Sequence, residues 1–180
     1  MLIRPVQESD FPAIATLTNK YIVGSSVHFG YEPVTAEELC QSWRKNAPRY
    51  PFLVSEERGA FTGYAKAGVW RERAAYGWTA EVGIYVEPTI HRKGVGRVLY
   101  QRLFDIMREQ GFHSAIGGIT LPNDASIRLH ENMGFKSVGT VRQAGWKLGA
   151  WHDVAFYQLL LRQADHAAGE IQPPGLGRMA

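Results

Sequence analysis

One segment restricts most strongly how this chain folds. It is a strand that runs directly into a basic turn with two glycines and then into an amphipathic helix. Residues 81–96 read Glu-Val-Gly-Ile-Tyr-Val-Glu-Pro-Thr-Ile-His-Arg-Lys-Gly-Val-Gly, with apolar residues at every second position of the strand. The first N–H groups of a helix lack intrahelical acceptors, and glycines let an anion approach them closely. The segment therefore predicts a pyrophosphate site, with a carboxylate, Glu81, at the other end of the strand.

The turn reads His91-x-x-Gly94-x-Gly96 and contains a basic pair. It is not a Walker A loop, because no Gly-Lys-Ser/Thr follows, and it is not a dinucleotide fingerprint, because a third glycine is missing. Such a turn is often only structural, but the basic pair favours phosphate binding. The predicted anion contacts are His91, Arg92, Lys93, Gly94, Val95, Gly96 and Arg97.

The order of strands and helices predicts a mixed sheet with helices on both faces, an α/β fold. Strands are expected near residues 3–5, 51–55, 60–70, 81–86, 114–120, 137–143 and 153–161. Helices are expected after a cap at Ser9 or Asp10, after a capping box at residues 35–38, at 95–110 with Gly111 as its stop, and after a cap at Asn123 or Asp124. The apolar stripe of the third helix is Val95, Val98, Leu99, Leu103, Ile106 and Met107. Residues 1–162 are expected to form one domain and 163–180 a loose tail.

Composition argues against several classes of function. The Lys and Arg residues give a formal net charge of +3 but are scattered, so no nucleic-acid surface is predicted. No apolar run approaches the roughly 20 residues that span a bilayer, and the N-terminus lacks the layout of a signal peptide. The single cysteine fits a reducing compartment, so a cytoplasmic protein is expected. The six histidines show no spacing typical of metal ligands, so no metal is expected.

Taken together, these motifs resemble the GNAT family of N-acetyltransferases, in which a strand, an x-x-Gly-x-Gly turn and a helix bind the pyrophosphate of acetyl-CoA. The resemblance extends to the phosphinothricin and methionine sulfoximine acetyltransferase branch and covers roughly residues 3–162. It is carried by residues 27–29, 78–81, 85–86, 111–112, 121–124, 126–130 and 149–153. It implies a mostly antiparallel central sheet, acetyl-CoA as co-substrate and a homodimer. The chain departs from the family at His91, where Gln or Arg is usual.

The resemblance also implies how the arm of the coenzyme is held. The strand is expected to separate from its neighbour, so that main-chain groups of Ile84, Tyr85 and Val86 pair with the pantetheine amides and one N–H polarises the thioester carbonyl. Asn123 and Ser126 are implied to contact the same arm. The alternative is that these two residues only cap a helix.

Acetyl transfer to an amine requires a base for the ammonium proton and a proton for the departing thiolate. Glu81 is the candidate base, and partial burial near Trp78 would raise its pKa. Its alternative is a strand-end carboxylate in an ion pair. His130 titrates near neutrality and serves as acid or base, or else as a hydrogen-bonded, partly buried ring. The sequence leaves open which of the two residues is the base.

An acceptor pocket is predicted where aromatic and basic residues cluster. Arg71 and Arg73 lie in a loop between two strands, where a bidentate arginine would hold the carboxylate of an amino acid, although a solvated surface position is equally compatible. Most aromatic residues are core, so each of these also has a structural interpretation. The predicted pocket residues are Phe29, Trp70, Arg71, Arg73, Tyr76 and Trp78.

The leading hypothesis is acetylation of the α-amine of a small amino acid or analogue: phosphinothricin, methionine sulfoximine or methionine sulfone. Such an enzyme detoxifies a herbicide. One alternative keeps the coenzyme but acetylates a protein N-terminus, a polyamine or an aminoglycoside. The other is a non-catalytic acyl-CoA-binding module. A homodimer contact is expected through aromatic residues of the last strands, namely Trp146, Trp151, Phe156 and Tyr157.

Overall fold

The computed structural model describes residues 1–164 and 167–175, which contain one seven-stranded sheet and four α-helices. The strands are β1 (Leu2–Pro5), β2 (Phe52–Glu57), β3 (Ala60–Val69), β4 (Thr79–Val86), β5 (Ser114–Thr120), β6 (Lys136–Lys147) and β7 (Ala150–Leu160). The helices are α1 (Phe11–Gly24), α2 (Ala36–Asn46), α3 (Val95–Gln110) and α4 (Asp124–Asn132). In the described part of the chain, none of them is both long and apolar enough to cross a membrane.

The sheet has the order β1-β2-β3-β4-β5-β7-β6, and β4 and β5 are its parallel pair while the other neighbours are antiparallel. Side chains that alternate along the strands divide the core into two layers. Ala65 and Val82 pack with α3 and α4 on what we call the α3 face, and Val54 and Tyr64 pack with α1 and α2 on the α1 face. The predicted mixed sheet with helices on both faces is confirmed.

Helix α3 begins and ends at glycines in the left-handed region, Gly94 at φ 81° and Gly111 at φ 102°. The predicted stop at Gly111 is confirmed, since its N–H donates to carbonyls of the last turn. The predicted apolar stripe needs one correction, because Val98 is 41% exposed. The buried stripe instead continues through Tyr100 and Phe104, whose rings pack on each other.

The two helices on the α1 face begin differently. The capping box at α2 is confirmed, with the Glu38 N–H donating to Thr35 Oγ1 (3.2 Å) and the Thr35 N–H to the Glu38 carboxylate (2.8 Å). At α1, Asp10 does not cap the helix with its side chain. Its carboxylate accepts the Gln7 N–H and pairs with Arg4 of β1, because a nearby guanidinium is a stronger partner than an N–H group.

The last two strands are longer than predicted and form a hairpin with a tight turn at Leu148 (φ 51°) and Gly149 (φ 76°). Two consecutive positive φ values are typical of a type I′ turn. The usual Asn-Gly or Asp-Gly signal is absent there, so the pattern did not reveal it. The expected β2–β3 hairpin is confirmed, with its turn at Arg58 and Gly59.

The aromatic residues predicted to make a subunit contact lie in different environments. Trp146 and Trp151 are 49% and 57% exposed and pack on each other at the tip of the hairpin. Tyr157 is buried in the core of the α3 face, and Phe156 packs against Trp70 on the α1 face. The prediction is wrong for Tyr157, because strand alternation turns its side chain inward.

Residues 169–172, part of the expected loose C-terminal tail, make hydrogen bonds with the rest of the chain. The Trp78 indole N–H donates to the Gly169 carbonyl (2.6 Å), and Gln110 and Gln172 exchange two hydrogen bonds of 2.8 and 2.9 Å. Gln110 is only 2% exposed, so its amide requires partners within the protein. Residues 165–166 and 176–180, which also belong to the predicted tail, lie outside the described residues.

Candidate active site

A cleft separates β4 from β5 in the middle of the sheet. The two strands pair only from Thr79 with Ser114 to Glu81 with Ile116. Beyond that point β4 continues to Val86 with β3 on one edge, and no partner in the described residues pairs with its other edge. The Ile84 main-chain groups and the Val86 N–H face this edge and are available to a ligand, whereas the Tyr85 groups face β3, because backbone groups alternate between the two edges of a strand. The sequence resemblance implied all three residues, and the structure offers two of them.

The start of α3 lies at the mouth of this cleft and has free hydrogen-bond donors. The first helical bond runs from the Val98 N–H to the Gly94 carbonyl (3.2 Å), and no side chain caps the helix. In the described part of the chain, the N–H groups of residues 92–97 donate to no protein acceptor. Arg92 and Lys93 are exposed beside them. Donors, dipole and cations together form a site for an anion such as a pyrophosphate.

Gly96 brings this helix start into direct contact with the elements on both sides of the cleft. A Cβ atom at Gly96 would lie 3.1 Å from a methyl carbon of Leu129 in α4 and 3.4 Å from one of Ile84 in β4. The second glycine of the turn therefore serves close packing. The anion site and the free edge of β4 are held as one unit.

His91 is engaged within the protein through its Nε2 atom. This nitrogen lies 3.1 Å from the Val86 carbonyl and 3.2 Å from the hydroxyl of Tyr21. The Tyr21 hydroxyl donates to the same Val86 carbonyl (2.7 Å). The ring fastens the turn to the end of β4. A direct contact between His91 and a phosphate remains a prediction.

Glu81 lies where the two strands separate, with its side chain on the α1 face. It is paired across the sheet with Gly68, and it makes no hydrogen bond or ion pair with the residues that the structure describes. The surrounding protein displaces water and raises the pKa of the carboxyl group, while the positive charge of Lys66 lowers it. An accessible, unpaired carboxylate with a raised pKa has the properties of a general base.

Two glycines leave open space beside Glu81. Gly68 is its partner on β3, and Gly83 is the next residue on the same face of β4; a Cβ atom at either would meet nothing within 4 Å. Lys66, opposite Gly83, completes the floor. We call Lys66, Gly68, Glu81 and Gly83 the acceptor groove. Glycine within a strand often marks close approach of a ligand, and this signal was available in the sequence.

His130 lies on the other face of the sheet and is buried (3% exposed). Its Nδ1–H donates to the Ser126 carbonyl (2.8 Å), and its Nε2 lies 3.2 Å from the hydroxyl of Tyr100. Burial lowers the pKa of the imidazole, because the charged form is poorly solvated there. The ring is therefore neutral at physiological pH with both nitrogens engaged, and the structure does not bring it together with Glu81.

Aromatic and basic side chains flank the groove at the end of β3. Trp70 packs on Phe156 (5.5 Å between ring centroids), and the guanidinium of Arg71 lies over the rings of Trp70 and Tyr76 (5.4 and 5.7 Å). A Cβ atom at Gly118 would lie 3.3 Å from Phe156 and 3.8 Å from the Glu81 carboxylate. The predicted residues Trp70, Arg71 and Tyr76 therefore lie near Glu81. Phe156 belongs to the same cluster and was missed, since its sequence position suggested only a subunit contact.

Phe29 borders the α1 face from the segment after α1. A Cβ atom at Gly145 of β6 would lie only 2.4 Å from its ring, so the glycine makes room for it. Lys147 fastens this segment to the hairpin by donating to the His28 carbonyl (2.5 Å). Phe29 is positioned by a contact between elements more than 100 residues apart.

Trp78 lies apart from this cluster. Trp78 precedes β4, its indole N–H is bonded to Gly169, and its neighbours Ala80 and Val82 point to the α3 face. The structure therefore separates Trp78 from the groove, and its predicted role in the pocket is corrected. Arg73 is exposed and makes no hydrogen bond or ion pair within residues 1–164 and 167–175.

The Asn123 side chain caps α4 by accepting the Ser126 N–H (3.1 Å). The capping role is therefore present, and contact of these two residues with a coenzyme remains a prediction. Within the described ranges, no group of three or more His, Cys, Asp or Glu side chains is arranged to hold a metal ion.

Known proteins share both the sequence and this architecture. A family model described as an acetyltransferase (GNAT) domain matches residues 3–156. The chain is 45% identical to phosphinothricin N-acetyltransferase of Streptomyces viridochromogenes over 87% of this chain and 85% of that protein. It is 38% identical to the L-methionine sulfoximine/L-methionine sulfone acetyltransferase of Salmonella typhimurium, over 93% and 98%. The structure of a phosphinothricin acetyltransferase from Sinorhizobium meliloti with acetyl-CoA superimposes with a TM-score of 0.90 at 29% identity, covering 99% of this chain and 98% of that one.

Proposed function

This chain belongs to the GNAT family of acetyltransferases and is an N-acetyltransferase, and from that premise we propose that it acetylates the α-amine of phosphinothricin, methionine sulfoximine or methionine sulfone with acetyl-CoA. The observation that carries the proposal is the position of Glu81. This unpaired carboxylate stands at the branch point of β4 and β5, with the free edge of β4 leading from it to the anion site at α3.

Acetyl-CoA would lie along the free edge of β4, from Glu81 to the start of α3. Free N–H groups at the start of α3, with Arg92 and Lys93, would hold the pyrophosphate. The free edge of β4 at Ile84 and Val86 would pair with the pantetheine amides, and one N–H would polarise the thioester carbonyl.

In the proposed reaction, Glu81 takes the ammonium proton of the acceptor, directly or through a water molecule. The amine attacks the thioester carbon, a C–N bond forms, and the C–S bond breaks to release the coenzyme as a thiolate; the new amide nitrogen gives up its second proton, which reaches the thiolate through water. We assign His130 a positioning role. Its buried, neutral ring holds α4 against the cleft, and both its nitrogens are engaged by Ser126 and Tyr100.

Thiol release from acetyl-CoA tests the proposal with the three compounds, a panel of ordinary amino acids, a peptide, a polyamine and an aminoglycoside. We expect turnover with the three compounds and a product acetylated on the α-nitrogen. Turnover only with the peptide, polyamine or aminoglycoside would assign a different acceptor. Coenzyme binding by calorimetry without turnover on any amine would mark a non-catalytic module.

The Glu81→Gln variant tests whether Glu81 is the general base. A general base contributes about 10²–10⁴-fold, so we expect kcat to fall by at least about 100-fold while acetyl-CoA still binds. Glu57→Gln on the β2–β3 hairpin is the matched control, because Glu57 is an exposed strand-end carboxylate far along the sheet from the cleft. An unchanged rate for Glu81→Gln would remove this residue from the mechanism.

We also propose a homodimer that forms through the β6–β7 hairpin. The support is that Trp146, Val138 and Val141 are exposed on the edge strand β6 and Trp151 on β7 beside it, and apolar edge strands tend to pair. Sedimentation velocity of the wild type and of a Trp146→Ser/Trp151→Ser variant tests this. We expect a dimer that the double substitution converts to monomer, and a monomeric wild type would contradict it.

A role in herbicide resistance follows from the proposed acceptor. Cytoplasmic expression of the chain in a phosphinothricin-sensitive bacterium should allow growth at inhibitory concentrations, and Glu81→Gln should abolish this growth. Equal protection by both would show that acetylation is not the cause.

A further inference from the structure

We propose that Lys66 determines acceptor specificity: its ammonium group binds an anion at the end of the acceptor side chain. The enzyme would then prefer amino acids with an acidic side chain, such as phosphinothricin, over those with a neutral one, such as methionine sulfone. This inference rests on the proposed acetyl transfer and adds the chemical class of acceptor that the site selects.

Lys66 lies at a suitable position in the sheet for this role. Lys66 is paired with Gly83, and the adjacent pair on the same face is Gly68 with Glu81. Two residues along a strand span about 7 Å, which a side chain of two methylene groups with a terminal anion covers from an amine held at Glu81. Phosphinothricin has such a side chain. The open space above Gly68 and Gly83 lies between the two charged groups.

The Lys66 ammonium has free N–H donors. Two other lysines, Lys20 and Lys147, are engaged: Lys20 pairs with Glu87 (2.7 Å), and Lys147 donates to the carbonyls of Ile22 and His28. Lys66 makes no hydrogen bond or ion pair with the residues that the structure describes; its ammonium lies over the Phe52 ring (6.0 Å to the centroid), and its side chain is accessible. An ammonium group has three N–H donors, so all three remain for a ligand.

The surroundings of Lys66 also favour the binding of an anion beside its ammonium group. Surrounding protein displaces water from Lys66 and lowers the pKa of its ammonium, an effect that the charge of Glu81 only partly offsets. The pKa of the His28 imidazole is lowered as well, by burial and by the charges of Lys147 and Lys66, so three basic groups influence this region. An acceptor anion would replace the lost solvation.

A cavity beside Lys66 supplies apolar walls for the methylene stem of the acceptor. It has a volume of about 190 Å³ and lies between α2 and the β2–β3 hairpin. Trp43, Phe52 and Tyr64 line it together with Lys66, and Gly68 connects it to Glu81. A chamber with aromatic walls, two polar side chains (Ser42 and Asn46) and one cation suits a short hydrocarbon chain that ends in a negative charge.

The charges around Glu81 complete a three-point pattern along β3. Lys66 lies on one side of the Gly68–Glu81 pair, and Arg71, next to Trp70, lies on the other. An α-amino acid with an acidic side chain presents an anion, a cation and an anion in that order. The α-carboxylate would lie toward Arg71, the α-amine at Glu81 and the side-chain anion at Lys66.

The test compares L-phosphinothricin with L-methionine sulfone on the full-length wild type, Lys66→Met, Lys66→Arg and the exposed-site control Lys45→Met. At a pH above the acidic limb of the profile, we expect Lys66→Met to lower kcat/KM for phosphinothricin at least 10-fold more than it lowers kcat/KM for methionine sulfone, mainly through KM. Lys66→Arg should retain most of the phosphinothricin activity, and Lys45→Met should match the wild type. Turnover of methionine sulfone also shows that each variant is folded.

The outcomes separate this inference from the proposed function. A wild type that acetylates methionine sulfone but loses nothing on phosphinothricin in Lys66→Met overturns the inference alone. An equal loss on both acceptors in Lys66→Met also overturns it, because Lys66 would then act on catalysis in general. A wild type that turns over neither compound overturns the proposed function and the inference with it.

Discussion

The imidazole of His130 lies directly against the backbone of Gly117: a Cβ atom at that glycine would come within 2.6 Å of Nε2. Phe135 and Tyr157 pack around the same ring, so it cannot retreat from β5 without disturbing the core of the α3 face. The glycine on β5 is therefore what allows α4 to lie so close to the cleft.

Gly117→Ala should destabilise the protein by about 1–3 kcal/mol, because overpacking forces the ring out of its position. Urea denaturation measures the change. Gly24→Ala, where the added methyl group meets nothing within 4 Å, is the control and should be close to neutral. Equal stabilities of the two variants would show that the His130 ring moves without cost.

The pH dependence of acetyl transfer should report Glu81. Its pKa lies above the ordinary value of 4.5, and the base acts only when deprotonated, so kcat/KM should fall as the pH drops through that raised value. Lys66→Met removes the charge that lowers this pKa, so the acidic limb should move to higher pH. Methionine sulfone is the appropriate acceptor for this measurement, since its side chain carries no charge. A limb that stays in place in Lys66→Met would show that the two groups are not coupled.

Two glycines with the same backbone test the anion site at α3. Gly94 (φ 81°) and Gly59 (φ 77°) each have open space where a Cβ atom would be. Alanine at either position should cost about 1 kcal/mol of stability, since left-handed backbone is unfavourable for residues with a Cβ atom. Only Gly94→Ala should weaken acetyl-CoA binding in calorimetry, by disturbing the N–H groups of residues 92–97. Equal affinities in the two variants would place the pyrophosphate elsewhere.

The buried His130 should make the protein less stable in acid. Its folded pKa lies below the ordinary value of 6.5, so the unfolded chain binds more protons between those two values. The free energy of unfolding should be unaffected above that range and decrease as the pH falls from about 6.5 toward the folded pKa. His28 shifts in the same direction and contributes a part. Urea denaturation at pH 7.5 and 5.5 should show a smaller decrease in both His130→Asn and His28→Asn than in the wild type.

Local signals in the sequence predicted local structure well. The capping box at Thr35 and the stop at Gly111 depend on hydrogen bonds within a few residues, so residue type and spacing are sufficient to specify them. The same holds for the strand, turn and helix around Gly94, whose order was predicted correctly, while anion binding there remains a prediction. The place of Glu81 on β4 also follows from the alternation of that strand, and its role as the base remains a prediction.

Contacts between segments distant in the sequence decided which residues surround Glu81 and His130. Which residues flank Glu81 depends on the register of β3 against β4, and that register places Lys66 and Gly68 beside it from 13 to 15 positions earlier in the chain. No local pattern shows that the His130 ring is neutral and enclosed, because this follows from packing against β5 and β7.

The sequence by itself determined the start of α2, the end of α3, the alternation of the strands and the strand–turn–helix segment that suits a pyrophosphate. Only the tertiary structure decided which side chains share the groove, that Trp78 belongs to the contact with residue 169, and that Lys66 faces the acceptor side without a partner. The physical reason is the separation along the sequence over which each kind of interaction acts. Propensities and caps act over one turn or one strand, whereas burial and charge pairing depend on all the segments that the fold brings together.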